Sequence, residues 1–295
     1  MVNPFSIFAP AKLNLFLAIT GRRADGFHDL VSVVATVGWG DTLRVAAGVP
    51  GEFHLACDDP SVPVDERNLV LKAARAFVGA TGWQGGATFS LEKRIPMGAG
   101  LGGGSSDAVA ALRALNEISG ERLPAGKLAE IAATLGSDCP LFLSDGPVTM
   151  RGRGERVEVL AAPAAVRLRG RRVLIFKPGF GIATPWAYRQ MVAMPGSYLA
   201  VDAAEERLRA WIEAADAPAE ELLFNNMEGV AFAKFVALPT LFEQLRDRFA
   251  VAPRMSGSGS ACFVFLPSEA PMAAMQQLIR SAWGDGTFMI DTRMT

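Results

Sequence analysis

The chain has 295 residues, half of them hydrophobic, with 29 basic and 30 acidic side chains and a formal net charge of −1. That length supplies a sizeable core and is comfortable for two domains, while the balanced charge lacks the excess of Lys and Arg that a general nucleic-acid binder needs. Cys57, Cys139 and Cys262 are scattered without a CxxC spacing, which gives neither a disulfide framework nor a zinc site. No leader pattern opens the sequence and no apolar run approaches the roughly 18 residues of a membrane span, so a cytoplasmic protein with no membrane partner is expected.

From Ser6 to Val49 the pattern is β. Leu13, Leu15, Leu17 and Ile19 alternate, then Val31, Val33, Ala35 and Val37, and Thr42 to Val45 follow an expected turn at Gly40-Asp41. Between the first two runs, Thr20 to Asp29 is a polar loop with two glycines, Phe27 and His28, the composition of a ligand loop on a sheet. A strand is expected at Glu52 to Ala56 with His54 facing solvent, a helix from about Glu66 to Ala80, and a strand from Ala87 to Ile95.

That last strand delivers the chain into Pro96-Met-Gly-Ala-Gly-Leu-Gly-Gly-Gly-Ser-Ser-Asp107. Gly98, Gly100, Gly102, Gly103 and Gly104 leave the backbone N–H groups bare, so a ligand can come close. A helix follows, with Ala108, Ala111, Leu112 and Leu115 at helical spacing and Ser105 or Ser106 suited to the N-cap. A glycine-walled helix N-terminus is an anion site, and the natural guest is a phosphate. The embedded G-x-G-x-x-G lacks a dinucleotide context, because Pro96 interrupts the approach and a second helix, Ala125 to Leu135, comes next. No G-K-[ST] closes a Walker A loop either.

Leu135-Gly-Ser-Asp138-Cys-Pro140 then offers an aspartate that is either a turn former or a chemical group. Arg151-Gly-Arg-Gly-Glu155 reads as a loop and places a soft boundary between 150 and 165. The second half has strands at Arg172 to Phe176, Ala261 to Phe265 and Thr287 to Ile290, and helices at about Thr184 to Met194, Ala203 to Ala214, Pro239 to Phe249 and Glu269 to Trp283. This order suggests α+β. Met255-Ser-Gly-Ser-Gly-Ser260 is either a hairpin loop or a second anion loop. Two such loops favour a nucleoside triphosphate together with another phosphorylated compound.

Three blocks stand in order: Pro10-Ala-Lys-Leu-Asn14, the glycine block from Pro96 to Asp107, and Met255-Ser-Gly-Ser-Gly259. Their order resembles the GHMP kinase superfamily of small-molecule kinases. Within it, Pro10-Ala-Lys-Leu-Asn-Leu15, Gly21-Arg-Arg-Ala-Asp-Gly-Phe-His28 and Leu135-Gly-Ser-Asp-Cys-Pro140 are similar to the branch that phosphorylates diphosphocytidyl-methylerythritol. The resemblance implies a two-domain α+β fold, with an N-terminal ATP-binding domain at 1–160 and a ferredoxin-like domain at 161–295. It also implies ATP and Mg²⁺ as cofactors and a small-molecule substrate; a monomer or weak homodimer is expected.

By the same resemblance, the terminal phosphate of ATP goes to a tertiary 2-hydroxyl, with Asp138 as base and Lys12 stabilising the alkoxide. ATP-binding positions are Pro96, Met97, Gly98, Ala99, Gly100, Leu101, Gly102, Gly103, Gly104, Ser105 and Ser106, with Asn68, Leu69 and Lys93 on the purine side and Ser105 or Ser106 reaching the metal. Asn14, Phe27, His28, Thr184, Tyr188 and Gly257 fall at substrate positions, Phe27 and Tyr188 sandwiching cytosine and His28 bonding its polar edge. The family commonly has tyrosine where Phe27 stands, so stacking is kept and a phenolic contact is lost. Rival readings are a mevalonate- or homoserine-type kinase of the same superfamily and a Rossmann-type dinucleotide oxidoreductase. The sequence has no Asp-Phe-Gly or His-Arg-Asp motif of the protein-kinase kind.

Overall fold

The computed structural model describes residues 5–120, 122–194 and 196–295. It divides into two compact units, one comprising residues up to Ala11, Trp39–Met97 and Gly102–Asp145, the other Lys12–Gly38, Gly98–Leu101 and Gly146–Thr295. These units interleave along the chain rather than following one another. The cause is strand length: β1 (Phe5–Arg22) and β2 (His28–Gly48) each contribute to both units, and at about 3.3 Å per residue β1 has a contour of roughly 60 Å.

The expected turn at Gly40-Asp41 does not exist, because β2 runs straight through it. Gly40 is required by close approach: a Cβ there would overlap the carbonyl oxygen of Ala9 and sit 2.7 Å from Pro10 Cα. Asp41 is fully buried, and its Oδ1 accepts from the backbone N–H groups of Arg94 (2.5 Å) and Ile95 (2.7 Å). A glycine beside an aspartate reads locally as a turn. Here one residue lets two strands touch and the other is a buried anchor.

In the first unit, β3 (Phe53–Cys57) leads through α1 (Leu69–Thr81) to β4 (Gly86–Glu92), which pairs parallel with β3 and antiparallel with β2. Asn68 caps α1, its Oδ1 accepting from Val70 N (2.9 Å), and the helix buries Val70, Leu71, Ala73, Ala74 and Phe77. β4 stops at Glu92, short of the expected Ile95, because the next three amides leave the ladder. Lys93 N donates to Asp58 Oδ1 (2.8 Å), and those of Arg94 and Ile95 go to Asp41. α2 (Gly103–Ile118) packs on α1, and α3 (Ala125–Leu135) leads to a 3₁₀ turn at Pro140–Leu143. Ala108, Ala111, Leu112, Ala114 and Leu115 are inaccessible to solvent, so α2 is a core helix rather than a surface one.

In the second unit, β5 (Val148–Gly152) pairs antiparallel with β2 and forms a hairpin with β6 (Arg156–Val159). Arg151 and Gly152, expected in a loop, are thus strand residues. There follow α4 (Ala162–Val166), β7 (Arg172–Lys177), α5 (Thr184–Ala193), α6 (Val201–Glu213), α7 (Ala219–Leu222), β8 (Phe224–Asn225), α8 (Met227–Lys234), α9 (Ala237–Phe249), β9 (Arg254–Met255), β10 (Cys262–Phe265), α10 (Met272–Trp283) and β11 (Phe288–Arg293). β8 pairs parallel with β1 through Phe16 and Phe224. The order β11-β7-β10-β9, antiparallel throughout, is the split β-α-β arrangement of ferredoxin-like sheets. Its helices cover a core of Leu174, Phe176, Phe242, Leu245, Val264 and Ile279. Among the described residues no helix is long and apolar enough to cross a membrane.

Gly40→Ala is expected to cost about 1–3 kcal/mol, because backbone rather than a flexible side chain must move. Gly79→Ala on α1 meets nothing within 4 Å and is expected to stabilise by about 0.5–1 kcal/mol. Urea unfolding of both variants checks the pair, and equal effects would refute the close-approach reading of Gly40.

Candidate active site

α2 begins three or four residues earlier than an N-cap at Ser105 or Ser106 would place it. Its N-cap is Gly102 in the left-handed region (φ 74°), with no side-chain cap, so Ser105 and Ser106 lie in the first turn. The first i→i−4 bond is Ser106 N to Gly102 O (2.9 Å), which leaves the amides of Gly103, Gly104 and Ser105 without intrahelical partners. A left-handed glycine at the cap turns the chain without placing an oxygen over those amides. They remain for a ligand.

Beneath this helix start lies a buried ion cluster. Lys93 Nζ donates to Asp41 Oδ2 (2.5 Å) and to Asp107 Oδ2 (2.7 Å), all three side chains being nearly inaccessible. Burial pushes the Asp107 carboxyl up to about 7, opposed by the Lys93 charge and reinforced by Asp41. Burial alone would lower Lys93, but the two carboxylates hold it above its ordinary value. Ser106 Oγ and Asp107 Oδ1 are buried without a hydrogen-bond partner. Of the three purine-side positions, Lys93 is thus an internal ion pair, Asn68 spends Oδ1 on Val70 N and Nδ2 on Pro63 O (2.7 Å), and Leu69 starts α1.

Asp138 sits half-buried in the turn after α3. Its neighbour Cys139 is fully buried, and burial pushes the thiol up to about 11, with the Asp138 charge adding and a hydrogen bond with Ser105 opposing. The turn that carries Asp138 therefore rests against the first turn of α2.

The second unit holds the lysine. Lys12 is 4% exposed, and its Nζ donates to Asn14 Oδ1 (2.6 Å), while Asn14 Nδ2 donates to Ser32 Oγ (3.1 Å). The backbone N–H of Lys12 donates to Leu101 O (2.9 Å). The loop from Met255 fastens to the same place: Ser256 Oγ donates to Gly100 O (3.0 Å) and accepts from Asn14 N (3.3 Å), and Ala261 N donates to Ala99 O (3.0 Å). A Cβ on Gly100 would overlap Ser256 O, and one on Gly257 would lie 3.2 Å from Asn14 Oδ1 and 3.6 Å from Lys12 Nζ. Behind the loop, Asn225 Nδ2 donates to Met255 O (2.8 Å) and Gly257 O (2.9 Å), and Glu228 Oε1 accepts from Met255 N (2.8 Å). Burial pushes Glu228 up to about 7, opposed by that amide and by Arg254 and Arg246.

His28 and Tyr188 come together, ring centroids 4.7 Å apart, and His28 Nε2 lies 3.0 Å from the Tyr198 hydroxyl. Phe27 is 54% exposed with the Arg153 guanidinium 4.8 Å over its ring. Thr184 Oγ1 is 2.8 Å from Ser258 Oγ. Sequence reasoning missed Asp41, Asp107, Tyr198, Asn225 and Glu228. The Asn225-Asn226 pair ahead of an acidic residue was a visible signal, whereas Tyr198 offered none. Among the described residues no cluster of three or more His, Cys, Asp or Glu could hold a metal.

Residues 68–146 match the family described as GHMP kinases N terminal domain. The homoserine kinase of Cytophaga hutchinsonii, 18% identical, has a TM-score of 0.74 and covers 100% of this chain and 96% of its own, which shows the shared fold. Fold and glycine-walled helix start together define a GHMP-type small-molecule kinase. A crystal structure of 4-(cytidine 5'-diphospho)-2C-methyl-D-erythritol kinase is 34% identical with a TM-score of 0.75, covering 98% of this chain and 99% of that one. The 4-diphosphocytidyl-2-C-methyl-D-erythritol kinase of Xanthomonas axonopodis pv. citri (strain 306) is 38% identical over 271 residues, 92% of this chain and 85% of the relative. The chain belongs to the 4-diphosphocytidyl-2-C-methyl-D-erythritol kinase family, and the oxidoreductase and mevalonate- or homoserine-type readings give way to that membership.

Glu228→Gln keeps an oxygen for Met255 N–H and removes the titrating proton. The folded state holds the Glu228 proton more tightly than the unfolded chain, so its stabilisation is complete below about pH 4.3 and is lost as pH rises through about 7. The wild type is expected to lose stability relative to E228Q between pH 4 and 8. A pH-independent difference in unfolding free energy would show ordinary titration.

Proposed function

We propose that the chain transfers the γ-phosphoryl group of ATP to the tertiary 2-hydroxyl of 4-diphosphocytidyl-2-C-methyl-D-erythritol, giving the 2-phosphate and ADP. The observation that carries the chemistry is Lys12, a buried ammonium on Asn14 whose own backbone bonds the glycine loop at Leu101. A cation so fixed, beside backbone that carries no side chains, suits an oxyanion that gains charge during transfer.

In this reading the amides of Gly98 to Ser106 hold the polyphosphate, with Pro96 and Met97 shaping the entry to the loop. Asn68, Leu69 and Lys93 border the purine, contributing backbone and aliphatic surface, since the Asn68 amide and the Lys93 ammonium already have internal partners. Mg²⁺ fits the orphaned hydroxyl oxygen of Ser106, with Ser105 as the other candidate, and when bound it neutralises charge on the transferring phosphate. Asp138 takes the proton of the acceptor hydroxyl, and Lys12 stabilises the alkoxide. A tertiary alcohol is a hindered, weakly acidic nucleophile, so proton removal and charge stabilisation are the two contributions it needs most. Asn14, Gly257 and Thr184 line the substrate, Phe27 and Tyr188 supply aromatic surface to cytosine, and His28 bonds its polar edge.

An ATP-consumption assay with diphosphocytidyl-methylerythritol beside mevalonate, followed by phosphorus NMR of the product, tests the substrate. Turnover of mevalonate alone would refute it. Asp138→Asn is expected to lower kcat by about 10²–10⁴ with the KM for ATP little changed, and a variant at full rate would remove Asp138 as base.

A further inference from the structure

His28 is 9% exposed, and its ring touches two tyrosines, Tyr188 at 4.7 Å and Tyr198 at 5.9 Å between centroids. Nε2 lies 3.0 Å from the Tyr198 hydroxyl. Among the described residues neither Nδ1 nor the Tyr198 hydroxyl has any other hydrogen-bond partner. One ring nitrogen is therefore occupied and the other is open.

We propose that the Tyr198 hydroxyl donates to His28 Nε2, holding the imidazole as the Nδ1–H tautomer, and that Tyr198 thereby sets which pyrimidine the site accepts. A phenol is a far stronger acid than a neutral imidazole N–H, and an imidazole nitrogen is a far stronger base than a phenol oxygen. The O–H to N arrangement is the better hydrogen bond of the two possible, and it is the one that gives the hydroxyl proton an acceptor. Burial, and then the nearby Arg22 charge, lower the His28 pKa, which keeps the ring neutral and makes its tautomer the decisive variable.

The consequence concerns recognition and rests on the reading of His28 as the cytosine-edge residue. Nδ1–H is a donor. Cytosine presents an acceptor at N3, whereas uracil presents an N–H there, so the fixed tautomer matches the first base and opposes the second. A site that uses a hydrogen bond in this way rejects the mismatched ligand because both groups are left unpaired. Tyr198 need not touch the base. It is a positioning residue, acting through His28.

The chain has two histidines, so ¹⁵N-labelled protein gives two imidazole patterns, and His54→Gln assigns them. Wild type is expected to show His28 with Nδ1 protonated and Nε2 unprotonated, a pattern that Tyr198→Phe loses. In kinetics, Y198F is expected to raise the KM for the cytidine substrate about tenfold and to reduce the preference over its uridine analogue by a similar factor. The KM for ATP should not change, which also reports that the variant is folded. A wild-type proton on Nε2, or an unaltered pattern in Y198F, overturns the tautomer assignment whatever the activity. The expected NMR pattern with unchanged cytidine kinetics overturns the specificity role, and failure to use the cytidine substrate at all refutes the proposed function while leaving the NMR result to be judged by itself.

Discussion

The buried carboxylate of Asp41 governs the first unit. It accepts two backbone N–H groups, of Arg94 and Ile95, and shares the Lys93 ammonium with Asp107. Lys93 to Ile95 come immediately before the glycine loop, and Asp107 immediately after it. One ion cluster thus fixes both ends of a segment whose glycines give it little packing of its own. Removing one partner from such a cluster strands a buried charge and costs several kcal/mol. Burial first, and the neighbouring Asp41 carboxylate after it, hold the Asp107 pKa high against the opposing Lys93 charge.

The second unit solves a related problem with side chains that bond backbone atoms. Lys12 and Asn14 lie on β1, and the loop after Met255 is brought to them by Ser256, Asn225 and Glu228 through bonds to backbone atoms. Gly100 and Gly257 make this possible by what they lack, since a side chain at either would meet a neighbour. Glycine at these positions serves contact between backbones as much as access for a phosphate. The same sequence feature therefore carries two physical roles.

The surroundings of His28 show a different kind of control. His28 is a buried ring whose pKa is lowered by burial and whose hydrogen-bonding character is not fixed by its identity. Its neighbours decide it, and the aromatic cluster of Tyr188 and Tyr198 packs against the hydrophobic core of the second unit. Stability of that core and definition of the ring are therefore coupled.

The sequence alone determined the three blocks that place the chain in its superfamily and narrow it to one branch, the α+β class, the strand into the glycine loop, and the main helices of the second half. These are properties of neighbouring residues: spacing, glycine content and short motifs can be read where they stand. Tertiary structure decided what Gly40-Asp41 is, since whether a Gly-Asp pair turns or runs straight depends on Ala9 and on amides over 50 residues downstream. It also decided that α2 starts at Gly103, that Lys93 is an internal ion, that β1 and β2 serve both units, and that Tyr198 meets a histidine 170 residues away. Each of these rests on contacts between distant segments, whose energies exist only once the chain has folded.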